Sequence, residues 1–216
     1  MHPARLARRA AVGTAVTALA VTAVATPAAA STSTTPSGTR SLAAVLTADT
    51  SGLDRNGADY DILTKAVLTV LQAKPQSPVK VLTDGSVALT AFVPNDRAFE
   101  RLAQDVTHAR RLPSEQQAFT TVAGLGVDTV EAVLLYHVVP GATIDARTAL
   151  RSDGAALTTA LGPSITVDVE GRSCRIRLVD ADTSDRDPRV VRFDINKGNR
   201  QIAHGIDRVL RPSDLP

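Results

Sequence analysis

The chain has 216 residues, 24 basic and 22 acidic, a formal net charge of +2, 3% aromatics and no tryptophan. Lysine and arginine are scattered among acids, which excludes a nucleic-acid or polyanion footprint. A single cysteine, Cys174, excludes an internal disulfide and leaves a buried thiol or an intermolecular pair, of which its place in an alternating apolar run favours the buried thiol.

The first thirty residues have the layout of a secretory signal. Arg5, Arg8 and Arg9 make a basic start, Ala10 to Val24 is an apolar run broken only by Gly and Thr, and Ala28-Ala29-Ala30 offers small residues for cleavage. The Arg8-Arg9 pair admits the twin-arginine route, although the residues after it lack that pattern, so the route of export stays open. The apolar run is short for a spanning helix and no second run follows, so the mature chain is expected outside the cytoplasm and without a membrane span. Loss of residues 1–30 removes three arginines and no acid, which leaves 21 basic residues against 22 acidic ones, a net charge of −1.

Residues 31–40, STSTTPSGTR, read as a flexible polar tether that cannot build a core. Residues 41–216, roughly 175 of them, are one domain by size. Ser41 to Asp49 places Leu42, Val45 and Leu46 on one helical face. A longer stripe follows in Ile62, Leu63, Ala66, Val67, Val70 and Leu71, with Asp59 as its expected cap and Lys74-Pro75 at its end. Val79 to Thr83 and Val87 to Val93, separated by Asp84-Gly85-Ser86, are rich in β-branched residues and predict a hairpin. Asn95 caps the helix that carries Phe99 and Leu102, with Asp96 favouring its positive end. Ser114 and Gln117 have capping-box spacing, Gly124 and Gly126 close that helix, and Asp128 with Glu131 repeats the spacing.

Val130 to Gly141, VEAVLLYHVVPG, is the pivot of the chain. Val130, Val133, Leu134 and His137 fall at helical spacing, whereas Val138, Val139 and Pro140-Gly141 turn the chain into an extended run. Tyr136 and His137 sit at that junction, where a polar ring in apolar company needs a buried hydrogen bond or costs about 1–3 kcal/mol. After Gly141 the pattern alternates. Ile165, Val167 and Val169 form one strand, Cys174, Ile176 and Leu178 a second across the turn at Gly171-Arg172-Ser173, and Val191, Phe193 and Ile195 a third. In the last, Ile202, His204 and Ile206 share a face, so His204 is expected to point inward. Helices gathered before strands, without βαβ alternation, predict an α+β sandwich with helices packed on one side.

Three segments then carry a resemblance. LTAFVPNDRAF (Leu89 to Phe99), VLLYHVVPG (Val133 to Gly141) and HGIDRVLRP (His204 to Pro212) resemble, in order and separation, the signature segments of the fasciclin-like domain, over roughly Arg40 to Pro212. The layout is similar to that of secreted single-domain actinobacterial and mycobacterial antigens of that family. The resemblance implies a wedge-shaped β-sandwich of about seven strands with a layer of α-helices. It also implies a secreted or cell-surface role in adhesion to cell-envelope or matrix components, whether protein or polysaccharide. Tyr136, His137, Pro140, Gly141, His204 and Asp207 belong to these segments as structural residues. Family members read Asn-Gly shortly before the last histidine, where this chain has Asn196-Lys197-Gly198-Asn199-Arg200-Gln201. That looser, polar loop makes Lys197, Asn199 and Arg200 the expected partner-binding tip.

No Arg-Gly-Asp triplet and no Asn-X-Ser/Thr acceptor is present. Nor is there a G-x-S-x-G elbow, an H-E-x-x-H pair, a phosphate loop or a G-x-G-x-x-G fingerprint, so neither catalysis nor a cofactor is expected. His108, His137 and His204 lack the company of a zinc site. Asp180, Asp182, Asp185 and Asp187 invite calcium but lack the glycine and closing glutamate of a calcium loop, so a solvated hairpin tip is expected there. An interaction module without an active site is the leading function. The alternative is an extracellular carrier with a small-ligand pocket between sandwich and helices. A hydrolase requires distant Ser, His and Asp groups to converge.

Overall fold

The computed structural model describes residues 38–171 and 175–213, so the signal segment 1–30, residues 31–37 of the tether, and Cys174 lie outside the described residues. Among the described residues six α-helices follow in order: α1 Leu42–Leu46, α2 Asp61–Ala73, α3 Asp96–Thr107, α4 Glu115–Gly124, α5 Val127–Tyr136 and α6 Ala146–Ala149. The strands are β1 Leu89–Pro94, β2 Val138–Pro140, β3 Ala156–Thr158, β4 Ser164–Glu170, β5 Arg175–Val179, β6 Val190–Ile195 and β7 Gln201–Ile206. They form one sheet in the order β2-β1-β7-β6 and another in the order β3-β4-β5. This is an α+β architecture of seven strands in two sheets with a helical layer.

β1 and β7 run parallel at the centre of the larger sheet, and every residue of both is buried. Both faces are covered, so alternation divides their side chains between two cores. Ala91, Val93 and Ala203 face the helices together with Ile62, Val70, Phe99 and Leu102. Phe92 and Ile206 face the smaller sheet, where they meet Ile165, Val167, Ile176 and Leu178.

The expected hairpin is corrected. Residues Pro78–Thr83 wind as a 3-10 helix, with Pro78 in its first turn and the Ser77 hydroxyl accepting from the Val79 amide. A strand there would have no edge to join, because β1 is paired by β2 on one side and by β7 on the other. Buried Gln201 fixes the turn instead. Its Nε2 donates to the carbonyls of Val81 and Asp84, both at 2.8 Å, and its Oε1 accepts from the Leu42 amide at the start of α1.

Two helix starts also differ from expectation. The first amides of α2, on Asp61 and Ile62, donate to the carboxylate of Asp96 at 3.1 and 2.9 Å, so the cap comes from α3 and not from Asp59. α5 begins after Gly126 without a side-chain cap, and Asp128 and Glu131 both pair with Lys74 across the end of α2. The box at α4 forms as spaced, with Ser114 and Gln117 bonded reciprocally. In β6 the third predicted face breaks: Val191 is 56% exposed while Val190 packs inward. Register shifts on either side of Arg192 and a positive φ of 60° at Asp194 turn the strand between those positions.

Candidate functional site: the cleft beside the end of α3

The signature residues are built into the scaffold. His137 caps the end of α5, and its Nδ1 lies 2.7 Å from the Val133 carbonyl, which can only accept. The proton is therefore on Nδ1, and Nε2 accepts the Leu210 amide at 2.9 Å. Burial pushes its pKa down to about 4, so the ring is neutral. His204 is used in the same way. Its Nε2 donates to the Ile144 carbonyl at 2.8 Å, its Nδ1 accepts the Asp194 amide at 3.3 Å, and its ring lies against Phe92 and Phe193. Burial lowers its pKa as well.

Tyr136 is fully buried against the smaller sheet, its hydroxyl reaching the Ser164 carbonyl at 3.4 Å. Pro140 closes β2 opposite Leu89, and Gly141 turns away with φ of 81°, a conformation that disfavours any Cβ. Asp207 accepts the Arg189 amide through Oδ1 at 2.8 Å, and its backbone carbonyl takes Arg101.

The 196–201 loop is less free than its composition implies. Asn199 accepts the Arg40 amide at 2.9 Å and donates to the carbonyl and side-chain oxygens of Asn196, whose own amide reaches back to the Arg40 carbonyl. Gly38 bridges Asn199, so the last residues of the expected tether are stitched to this loop. Asn199 is therefore a clamp. Lys197 and Arg200 remain exposed, Lys197 paired with Asp194 and Arg200 reaching the Ser86 carbonyl.

The acidic run 180–187 is corrected from a solvated tip to a strapped loop. Asp182 is only 4% exposed, and burial raises the Asp180 pKa to about 6. Arg211, itself buried, spreads its guanidinium over Asp105 at 2.8 Å, Asp182 at 3.3 Å and Asp185 at 3.3 Å, while its amide donates to Asp180. Arg208 holds Asp185 at 2.9 Å, and Arg177 reaches Asp187 at 3.3 Å. Two arginines of the last signature segment thus organise a loop more than twenty positions earlier.

This strapping shapes an open cleft of about 630 Å³ whose walls include Gln104, Asp105, His108, Ser184, Asp185 and Arg211. His108 ends α3 in the left-handed conformation, with φ of 52°, and is exposed. Arg110 and Arg111 follow it on the surface. Two surfaces that are far apart in sequence, the 180–189 loop and the 108–111 segment, therefore meet. The Ser184 hydroxyl donates to Asp182 at 2.7 Å and Asp185 is held by Arg208, so neither is organised around His108 as a nucleophile relay would require. Among the described residues, voids behind the helices and between the sheets are about 20 and 10 Å³ and another between α2, α4 and α5 is about 80 Å³, all below the size of a ligand pocket. Among the described residues, no single helix is long and apolar enough to cross a membrane, and α4 with α5 reaches that length only across a 106° bend.

A family model for the fasciclin domain matches residues 63–212, well over half of the chain. Among solved structures, the chain is similar to a FAS1 domain pair from the insect cell adhesion molecule Fasciclin I. The identity is 18%, the TM-score 0.53, and the match covers 79% of this chain and 50% of that one. The chain thus spans half of that molecule, and at this identity the likeness speaks to the fold. No curated protein matches the chain.

Proposed function

Since this chain belongs to the fasciclin domain family, we propose that it works as an exported or cell-surface interaction module, without an active site, that adheres to a protein or polysaccharide of the cell envelope or matrix. The observation that carries the reading is the contrast, among the described residues, between small apolar voids and an open polar cleft. The voids measure about 20, 10 and 80 Å³, and both signature histidines are consumed by backbone groups. The cleft of about 630 Å³, by contrast, presents carboxylate, guanidinium, imidazole and hydroxyl groups together, the mixture that sugar hydroxyls and peptide amides bind. The basic start and apolar run within residues 1–30 supply the route out of the cytoplasm. Lys197 and Arg200 form a second exposed surface that contributes to partner choice.

Binding of the exported chain to separated envelope protein and polysaccharide fractions tests this. His108→Gly with Arg110→Ser and Arg111→Ser removes the imidazole from the cleft wall and the exposed charges that follow it, while glycine keeps the left-handed turn that ends α3. We expect this variant to bind at least about tenfold more weakly than the parent, a change of about 1.4 kcal/mol. Lys197→Ser with Arg200→Ser is measured beside it and should weaken binding less. Equal binding by the cleft variant and the parent, with the fold retained, removes the cleft from the account. Binding to neither fraction removes the adhesion role.

A further inference from the structure

Where α2, α3 and α4 converge, the carboxylates of Asp59, Asp96 and Glu115 each bring an oxygen within 4.8 Å of the others, and Asp59 does the same with Asp54 and Asp61. Among the described residues none of these five acids forms an ion pair. Arg97, which packs against Gly57 of the same loop, is paired with Glu100.

Glu115 is 1% exposed. One of its oxygens accepts the Asp54 amide, while Oε1 is buried with no hydrogen-bond partner. Asp59 Oδ1 and Asp61 Oδ2 are buried without partners as well. Gathering like charges away from water is costly unless something neutralises them, and so is leaving a buried carboxylate oxygen unpaired. Both oxygens of Asp96 accept amides of α2, and its carboxylate lies close enough to Asp59 to share a proton. The geometry still leaves bare lone pairs on Glu115 and Asp59.

We propose that Asp59, Asp96 and Glu115, with Asp54 and Asp61 at the rim, form a binding site for a divalent, oxygen-seeking cation such as Ca²⁺ or Mg²⁺. The donors are hard carboxylate oxygens with no histidine or thiol among them, which selects against zinc and copper. Oxygens on opposite sides of Ca²⁺ stand about 4.6–5.2 Å apart, and those on opposite sides of Mg²⁺ about 4.0–4.2 Å, so carboxylates whose oxygens lie within 4.8 Å of one another are near enough to share either ion. The chain supplying the rim, Asp54-Arg55-Asn56-Gly57-Ala58-Asp59-Tyr60-Asp61, sets oxygen side chains around a glycine, as cation loops do. Bound there, the ion joins the loop before α2 to the starts of α3 and α4. It would stiffen the helical layer.

The test is calorimetric titration and thermal denaturation of the chain as exported, after treatment with chelator, using Ca²⁺ and Mg²⁺ separately. One equivalent of at least one ion should bind, and Tm should rise by about 5–10 °C with the ion at a hundredfold excess over Kd. Glu115→Gln and Asp59→Asn should each melt higher than the parent in chelator, because they relieve repulsion, and should lose at least about tenfold in affinity. Tb³⁺ gives a reading independent of stability: Tyr60 lies between two of the acids, so its sensitised emission should appear, be displaced by Ca²⁺, and vanish in Tyr60→Phe. No heat and no Tm change with either ion at millimolar concentration overturns the proposal. So does binding that both carboxamide variants keep, or emission that survives Tyr60→Phe. A parent whose stability in chelator rises on acidification but ignores both ions holds a shared proton there, and that result also overturns it.

Discussion

The imidazole of His137 takes the Leu210 amide on Nε2 and gives its Nδ1 proton to Val133, so one ring ties the end of α5 to the chain that follows β7. These two elements carry the second and third signature segments. The ring does for the fold what a reactive histidine would do for chemistry: it fixes one tautomer and one orientation.

His137→Ala should therefore lower stability by about 2–4 kcal/mol, since it leaves the buried Leu210 amide unpaired as well as opening a cavity. Urea denaturation measures this. The pH dependence is a second readout. The folded ring, with its pKa near 4, binds fewer protons than the unfolded one near 6.5, so its contribution is full above about pH 6.5 and is lost as pH falls toward 4. Asp180, raised to about 6, acts in the opposite sense, because its folded form holds a proton that the unfolded chain has released. Subtracting the variant's pH profile from the parent's isolates the histidine.

Arg211→Met should cost about 1.5–3 kcal/mol, because it removes the guanidinium that a buried side chain shares among Asp105, Asp182 and Asp185. Adding Asp182→Asn to that variant should restore part of the loss. Denaturation midpoints of the two variants decide it. Equal midpoints for Arg211→Met and the parent would show that the strap contributes nothing to the loop.

Gln201→Leu removes three hydrogen bonds and leaves the Leu42 amide without its acceptor, while the Val81 and Asp84 carbonyls keep only the amides of Asp84 and Val87. A loss of about 2–4 kcal/mol is expected, with faster amide exchange in α1.

Asn199→Ala should speed amide exchange at Arg40, whose donor bond it deletes. Lys197→Ser should shift stability by less than about 0.5 kcal/mol, since its side chain is 66% exposed and its ion pair with Asp194 is a surface one. The pair of variants separates the clamp from the surface within a single loop.

Local devices were legible in the sequence, and remote ones were not. The capping box at Ser114 and Gln117 is settled by residues three apart, and the alternation of β4 and β7 is settled within each strand. Residues 79–83 have strand composition, yet their fate depends on whether β1 has a vacant edge, which β2 and β7 decide from some 50 and 110 positions away. Asp96 reads as a first-turn acid of α3, but its oxygens cap α2, because the loop at Asn56 to Asp59 brings that helix start alongside. The 180–187 acids look solvated until Arg208 and Arg211 are brought over them. The sequence signal for the cation cluster was present at Asp54 to Asp61, but two of its central ligands, Asp96 and Glu115, come from other helices.

If the scaffold meets its partner at the cleft between the end of α3 and the strapped 180–187 loop, hydrogen exchange of the exported chain, with and without a saturating envelope fraction, reads the contact out. Slowed exchange is expected at residues 104–111 and 182–186, with a smaller effect at 197–200 and no change at the buried amides of β1 and β7. Protection confined to other surfaces, or no protection while the fraction is bound, contradicts it.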